Sequence, residues 1–360
     1  MANKQAAQLV VVDEGSRQVK VCWQDADGKI QTKVIPSNVN DQQEGNDFLG
    51  NPHDSNYLIK NNEGTDVNYF VFDFESVLDR VDTNTERYQV SHANRALVHE
   101  ALRQAGFEGK PVEVVCTLPL SQFFIHNGQG RRDDSRIDEK KKNLMGEIAN
   151  VNSIPAAKIT DCRVAPESIS AWFNLLFKDD LTVDAEKYQA TSVLIVDIGG
   201  TTTDIAMING KGHPTSRKTE DVGVFNVIDR IRELLPSKIK DVKTINDVQM
   251  ENLLRTGRFR NQDVQAIIKE AVRPIQTKLV AAMDKFEKDS MSLDYIVLVG
   301  GGAALFGQSL SDEYANSGSR ANVILPEDAE FYVAKGIMKS ELFQLAQKAK
   351  TPTEQSTETA

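Results

Sequence analysis

The sequence predicts an α/β protein made of two copies of one domain, and three observations carry that expectation. Two stretches share one shape: Leu9-Val10-Val11-Val12-Asp13-Glu14-Gly15-Ser16 and Val193-Leu194-Ile195-Val196-Asp197-Ile198-Gly199-Gly200-Thr201-Thr202-Thr203-Asp204. In each, an apolar run ends in Asp, a Gly comes after one further residue, and Gly or small hydroxyl residues follow. That composition presents backbone N–H groups to an anion. Asp13 and Asp197 stand 184 positions apart (197 less 13), close to half of the 360 residues, as a duplication would place them. After the first bend Val19, Val21 and Trp23 alternate with Gln18, Lys20 and Cys22, which makes the bend that of a β-hairpin. The second bend repeats the hairpin, with Asp204 to Ile208 as its return strand.

The remaining elements follow in order. Ser37 to Asn68 is rich in Asn, Asp, Gln and Gly and reads as an inserted subdomain with long surface loops. Ala96, Leu97, Ala101 and Leu102 give Asn94 to Ala105 a helical period that Gly106 stops, and the apolar strand Val112 to Leu118 comes next. The charged run Gly130 to Lys142 reads as a solvated loop and helix start, its basic residues exposed. Ile159 to Val164 is a strand, Pro166 a helix start, and Ser168 to Phe177 the apolar face of that helix. In the second half, Val224 to Lys288 is mostly helical, with a kink or break expected at Pro274. Strand Tyr295 to Val299 ends in Gly300-Gly301-Gly302 before the helix-compatible Ala303 to Phe306. The polar residues 349–360 read as a disordered tail.

Composition narrows the function classes. A formal charge of −10 argues against a nucleic-acid backbone as a direct partner, because such binders concentrate Lys and Arg. Cys22, Cys116 and Cys162 are widely spaced, and the histidines, at 53, 92, 99, 126 and 213, lack metal spacing, so a reducing cytoplasm fits and a zinc site does not. No signal peptide or transmembrane run can be drawn, and no membrane partner is expected. The strings G-x-x-x-x-G-K-[ST] and G-x-S-x-G are both absent, which removes the main support for a P-loop NTPase and an α/β-hydrolase.

What remains is a phosphate clamp with two sides. Facing hairpin bends can hold a triphosphate without a Walker lysine, and Lys20, four residues after Ser16, can reach a phosphate oxygen. Asp13 and Asp197 end apolar strands, where carboxylates are unwelcome unless hydrated or near a cation; Mg2+ with its retained waters satisfies both conditions. Gly300, Gly301 and Gly302 offer close backbone approach at a helix N-terminus, which suits a nucleotide's sugar and α-phosphate, although a tight strand–helix connection needs the same residues. Glu167 after Pro166 is equally what a helix dipole favours.

Asp13-x-Gly15-Ser16 with Lys20, Asp197-x-Gly199-Gly200-Thr201-Thr202-Thr203-Asp204 and Val299-Gly300-Gly301-Gly302-Ala303 resemble the phosphate-1, phosphate-2 and adenosine motifs of the actin, sugar kinase and heat-shock chaperone ATPase superfamily. Val115-Cys116-Thr117-Leu118-Pro119-Leu120 and Pro166-Glu167-Ser168-Ile169 resemble the ParM, or StbA, plasmid-segregating bacterial actins. The resemblance implies an actin-like ATPase fold: two ribonuclease-H-like domains with a nucleotide cleft between them. Domain I would span residues 1–185 (core 9–36 and 93–185, inserted subdomain 37–92) and domain II residues 186–348 (core 190–222 and 290–345, helical subdomain 223–289). It further implies Asp13 and Asp197 as Mg2+ and water organisers, and Gly15, Ser16, Lys20, Gly199, Gly200, Thr201 and Thr202 as the β/γ-phosphate clamp. Gly300 to Gly302 border the adenosine, Gly223 opens a nucleotide-side helix, and Glu167 positions or activates the attacking water.

The function implied is an ATP-dependent filament protein of the bacterial cytoplasm, plasmid-encoded, that partitions a low-copy plasmid by polymerisation coupled to slow ATP hydrolysis. Its partners would be further copies of itself and a ParR-like adaptor on a centromere-like DNA site, with GTP in place of ATP left open. Two alternatives stand beside it, a small-molecule kinase of the same superfold and a nucleotide-gated adaptor that does not polymerise.

Overall fold

The computed structural model describes residues 6–350 apart from 48, 74–79, 126–129, 191, 210–211, 241, 243, 290–292 and 318. Two five-stranded sheets with one topology dominate it. In the first, the strands run in the order Ile30–Pro36, Gln18–Gln24, Gln8–Glu14, Pro111–Leu118, Lys158–Pro166. In the second they run Pro214–Glu220, Thr203–Ile208, Val193–Ile198, Tyr295–Val299, Asn322–Ile324. Each is an antiparallel meander on one side joined to parallel strands on the other, through Gln8–Glu14 paired with Pro111–Leu118 and Val193–Ile198 paired with Tyr295–Val299. The duplication expected from the two motifs is therefore present at the level of whole sheets.

Central strands bury both faces, which is why they read as unbroken apolar runs rather than as an alternation. Leu9 and Val11 join one core, Val10 and Val12 another; Val193 and Ile195 likewise turn away from Leu194, Val196 and Ile198. The core holding Leu9 and Val11 also holds Val193, Ile195, Val297, Trp172 and Val333, so residues of both sheets pack together. Burying each of these Val or Ile side chains is worth about 1.5–3 kcal/mol, enough to fix which face each strand turns inward.

The inserted subdomain is more ordered than a set of loops. Val39–Asn40, Asn56–Lys60 and Asp66–Val71 form a sheet completed by Ala149–Asn150, a strand outside the expected insertion. Ser91 caps helix His92–Gln104, its side chain accepting from the Asn94 amide. Helix Gln265–Asp289 runs through Pro274 without the expected break, and helix Val224–Lys238 likewise contains Pro236. Buried contacts from Ile267, Ile268, Ala271, Ile275 and Leu279 on the same long helix hold both sides of Pro274 against one core, which outweighs the lost hydrogen bond. Pro166 is the last residue of strand Lys158–Pro166 rather than a helix start; the helix begins at Ala171. Residues 351–360 of the expected tail lie outside the described residues.

Among the described residues, no helix is long and apolar enough to cross a membrane.

Candidate functional site

The two bends face each other across a cleft of about 530 Å³, within the roughly 300–1,000 Å³ common for small-molecule sites. Asp13, Gly15, Ser16, Lys20, Glu167, Asp197, Gly199, Gly200, Thr201, Thr202, Gly301 and Gly302 all line it, so nearly every residue singled out in the sequence arrives at one place. In each bend the first glycine closes the turn: Gly15 N–H donates to the Gln18 carbonyl at 3.0 Å, and Gly199 N–H to the Thr202 carbonyl at 2.9 Å. Among the described residues, no protein acceptor takes the amide N–H of Ser16, Arg17, Gly200 or Thr201, which leaves donors on both walls for an anion. Ser16 Oγ and Thr201 Oγ1 approach to 3.1 Å, and Thr201 also bonds Asn84.

Gly223 and Gly300 stand behind this lining. A Cβ on Gly223 would lie 2.5 Å from the Gly200 carbonyl oxygen, because the N-terminus of helix Val224–Lys238 packs directly on the second bend. There Val224 and Phe225 N–H donate to the Gly199 and Gly200 carbonyls at 3.2 and 2.8 Å. Gly300 has φ +84, and a Cβ there would lie 2.4 Å from Asp197 Oδ1. Both positions require glycine for packing or backbone conformation.

The floor of the cleft is acidic. Lys20 Nζ sits 3.1 Å from Asp13 Oδ2, and Thr117 Oγ1 lies 3.1 Å from Asp13 Oδ1 and 3.4 Å from Glu167 Oε1. Its one proton serves the nearer carboxylate. Ser168 Oγ lies 3.5 Å from Asp197 Oδ2, and Thr219 donates to Asp204. Ser168 takes φ +53, a strained value for a non-glycine residue, where the chain turns sharply to bring Glu167 and Ser168 side by side at the cleft. Glu167 thus leaves the end of a strand, and the helix-dipole explanation of its identity does not apply.

Electrostatics mark the same group. Burial, then Asp13, Asp204 and Asp197, pushes the Glu167 carboxyl well above the ordinary range. Burial likewise raises Asp197 to about 7, with Lys20 opposing and Asp13 and Asp204 assisting, and burial raises Asp204. Burial acts to lower Lys20, but the Asp13, Asp197 and Glu167 carboxylates outweigh it and hold the ammonium above its usual value. Among the described residues, the cleft lining sets eight carboxylates, four of them (Asp13, Glu167, Asp197 and Asp204) at the floor, against only Lys20 and Arg17, so it lacks positive charge.

That deficit fits Mg2+ held largely through water. Among the described residues no three His, Cys, Asp or Glu side chains form a direct cage, and Mg2+ commonly binds through one or two carboxylates, retained waters and substrate phosphates.

Sequence reasoning missed several residues here. Thr117 and Ser168 lie inside quoted motifs without having been given roles, and Asp204 ends the second motif. Lys140, read as exposed, is fully buried and faces Glu14 Oε1 at 3.0 Å. A lysine at an inward position of helix Asp134–Leu144, beside buried Ile137 and Leu144, was the available signal.

This arrangement, two mirrored domains gripping an acidic, amide-lined cleft, defines the class of actin-like ATPase folds. Residues 8–178 match the family model of the N-terminal part of the plasmid segregation protein ParM, and residues 195–312 that of the C-terminal part of the archaeal actin homologue MreB-like. The chain therefore has the actin-like ATPase fold, and its N-terminal part resembles that of ParM. A search of curated proteins finds no match.

Solved structures give the same fold. A ParM filament of 15 strands from Clostridium botulinum superposes with a TM-score of 0.66 at 19% identity, covering 95% of this chain and 100% of that one. An archaeal actin homologue in complex with ADP gives 0.68 at 18%, covering 93% and 99%. Bacillus thuringiensis ParM with ATP gives 0.63 at 16%, covering 95% and 100%.

Proposed function

We propose that this chain binds ATP with Mg2+ between its two domains, polymerises in that state, hydrolyses the nucleotide slowly, and uses the filament to segregate plasmid DNA. The observation that carries the reading is the pair of bends: amide donors and hydroxyls from both domains converge on one cleft, so a triphosphate there touches both halves at once. Closing the cleft on a shared ligand favours one relative arrangement of the domains, and an assembly that accepts only that arrangement becomes dependent on the ligand. The ParM filament and the nucleotide complexes among the similar structures support this, as does the ParM-like N-terminal part.

In this reading Gly15, Ser16, Lys20 and Gly199 to Thr202 hold the β- and γ-phosphates, and Gly301 and Gly302 border the sugar. Asp13 and Asp197 hold Mg2+ through water, and the ion supplies the positive charge that the carboxylates and phosphates together lack. Glu167 orients the attacking water and accepts its proton in the ionised form, which Lys20 favours against burial and the neighbouring carboxylates. Partners are further copies of the chain and a ParR-like adaptor on a centromere-like site, consistent with an acidic chain that leaves DNA to another protein. The setting is the bacterial cytoplasm.

The test is light scattering and sedimentation at micromolar protein with ATP and Mg2+. A rise that follows ATP and reverses as phosphate is released supports the proposal. Scattering that stays flat while ATP is consumed only with an added metabolite assigns the cleft to a kinase.

A further inference from the structure

Behind the first bend lies a polar network that the proposed chemistry does not use. Lys140 and Glu14 are both completely buried, their charges 3.0 Å apart. The Lys140 ammonium donates to Gln89 Oε1 at 2.8 Å and to Asn94 Oδ1 at 2.9 Å, and faces Glu14 Oε1 as a charge rather than as an aligned hydrogen-bond donor. From there two chains of contacts reach the cleft. Glu14 Oε2 accepts from the Thr117 amide at 2.9 Å, the Glu14 amide donates to Thr117 Oγ1 at 3.2 Å, and that hydroxyl donates to Asp13 at 3.1 Å. Gln89, held by Lys140, donates through Nε2 to the Glu14 carbonyl at 3.2 Å. One ammonium therefore fixes Glu14 by its side chain and by its backbone.

A buried ion pair is weak evidence for stability, since replacing both charges by neutral groups of similar volume is often tolerated. Lys140 is carried by helix Asp134–Leu144, Gln89 by the turn Glu86–Val90 and Asn94 by helix His92–Gln104, so the network ties the first bend to three elements outside the sheet.

We infer that Lys140 is a positioning residue of the cleft: through Glu14, Gln89 and Thr117 it sets the orientation of the Asp13 carboxylate. The inference rests on the nucleotide reading above for its kinetic consequence, but the positioning itself can be measured without nucleotide. Residues that orient a metal-organising carboxylate typically matter by about 10–100-fold in metal affinity or activity.

The experiment compares wild type with Glu14→Gln/Lys140→Met, which removes both charges together and avoids stranding one; Lys140→Met alone serves as the control for a stranded carboxylate. In the nucleotide-free double variant, melting close to wild type with hydrogen exchange at the Glu14 and Thr117 amides accelerated about tenfold or more, and Val196 and Val297 amides unchanged, is the expected result. With nucleotide, the Mg2+ concentration for half-maximal turnover should rise about tenfold while Mg2+-free ATP affinity is retained. Unchanged exchange at Glu14 and Thr117 overturns the inference, whatever the turnover. If exchange accelerates but wild type itself neither binds nor hydrolyses ATP, the positioning stands and the nucleotide reading fails. A double variant that fails to fold, while Glu14→Gln alone folds and keeps wild-type exchange, also overturns it, because Lys140 would then act only on stability.

Discussion

Ser16 Oγ and Thr201 Oγ1 lie 3.1 Å apart although 185 residues separate them. The contact joins the two domains across the cleft; Thr201 Oγ1 donates to Asn84, so Ser16 Oγ donates to Thr201, and an anion placed between them can accept from both once the Thr201 hydroxyl turns away from Asn84. A net hydrogen bond to a charged group is worth about 1.5–3 kcal/mol. Ser16→Ala/Thr201→Ala should therefore weaken ATP binding by at least about tenfold in titration calorimetry with the fold intact. Affinity equal to wild type would place the phosphates elsewhere.

Glu167→Gln preserves size and hydrogen bonding but removes the base. ATP affinity should be retained, while single-turnover hydrolysis slows by roughly 10²–10⁴-fold. Polymers formed by this variant should persist longer after ATP is exhausted from solution. Wild-type turnover would exclude Glu167 from the chemistry.

Asp197 gives a signed pH dependence. Its carboxyl is raised from 3.8 to about 7 in the folded protein, chiefly by burial, so the fold binds that proton more tightly than the unfolded chain does. The resulting stability is complete below pH 3.8 and is lost as pH rises through about 7. Glu167, also raised, acts with the same sign. Melting temperature of the nucleotide-free protein should fall between about pH 5 and about pH 8, with a shallower fall in Asp197→Asn. An equal fall in both proteins would assign the proton to another group. Because Mg2+ favours the ionised carboxylate, Mg2+-ATP affinity should strengthen over the same interval.

Gly223→Ala tests the support of the second bend. The added methyl would meet the Gly200 carbonyl oxygen at 2.5 Å and that of Gly199 at 2.8 Å, both backbone atoms that cannot swing away. Urea titration should show a loss of about 1–3 kcal/mol. The displaced bend should also lose ATP affinity, and a variant with wild-type stability and binding would show that the helix can shift without moving the site.

The parts legible in the sequence share one property: their cause is local. Val193 to Val196 announces a strand buried on both faces because side chains alternate along any extended chain. Gly15 and Gly199 announce bends because a turn this tight leaves little room for a Cβ, which on Gly199 would lie 2.9 Å from the Thr202 oxygen. Asp13, Lys20 and Asp197 could be named in advance because each sits at a fixed offset from such an element, whereas Glu167 could be named only through the family resemblance. Expectations about segments without a local cause fared worse. At Pro274 a kink or break is expected, and the helix continues through it because one core holds both sides; the run Gly130 to Lys142 reads as a solvated loop and helix start, yet Lys140 within it is buried.

Lys140 shows why. Nothing within helix Asp134–Leu144 distinguishes a lysine bound for water from one that meets Glu14, 126 positions earlier (140 less 14), because the partner arrives only when the helix docks on the sheet. The same holds for the raised carboxyls of Asp197 and Glu167, since desolvation and mutual repulsion depend on which groups packing brings near, not on neighbours in the chain. Thus the sequence alone determined the two hairpin bends, the duplicated sheets and the residue types that face the cleft, through periodicity and backbone sterics acting over a few residues. Tertiary structure decided the charge state of the cleft and the buried network beneath Asp13, because electrostatic energies in a low-dielectric interior are set by atoms that only folding brings within a few ångströms.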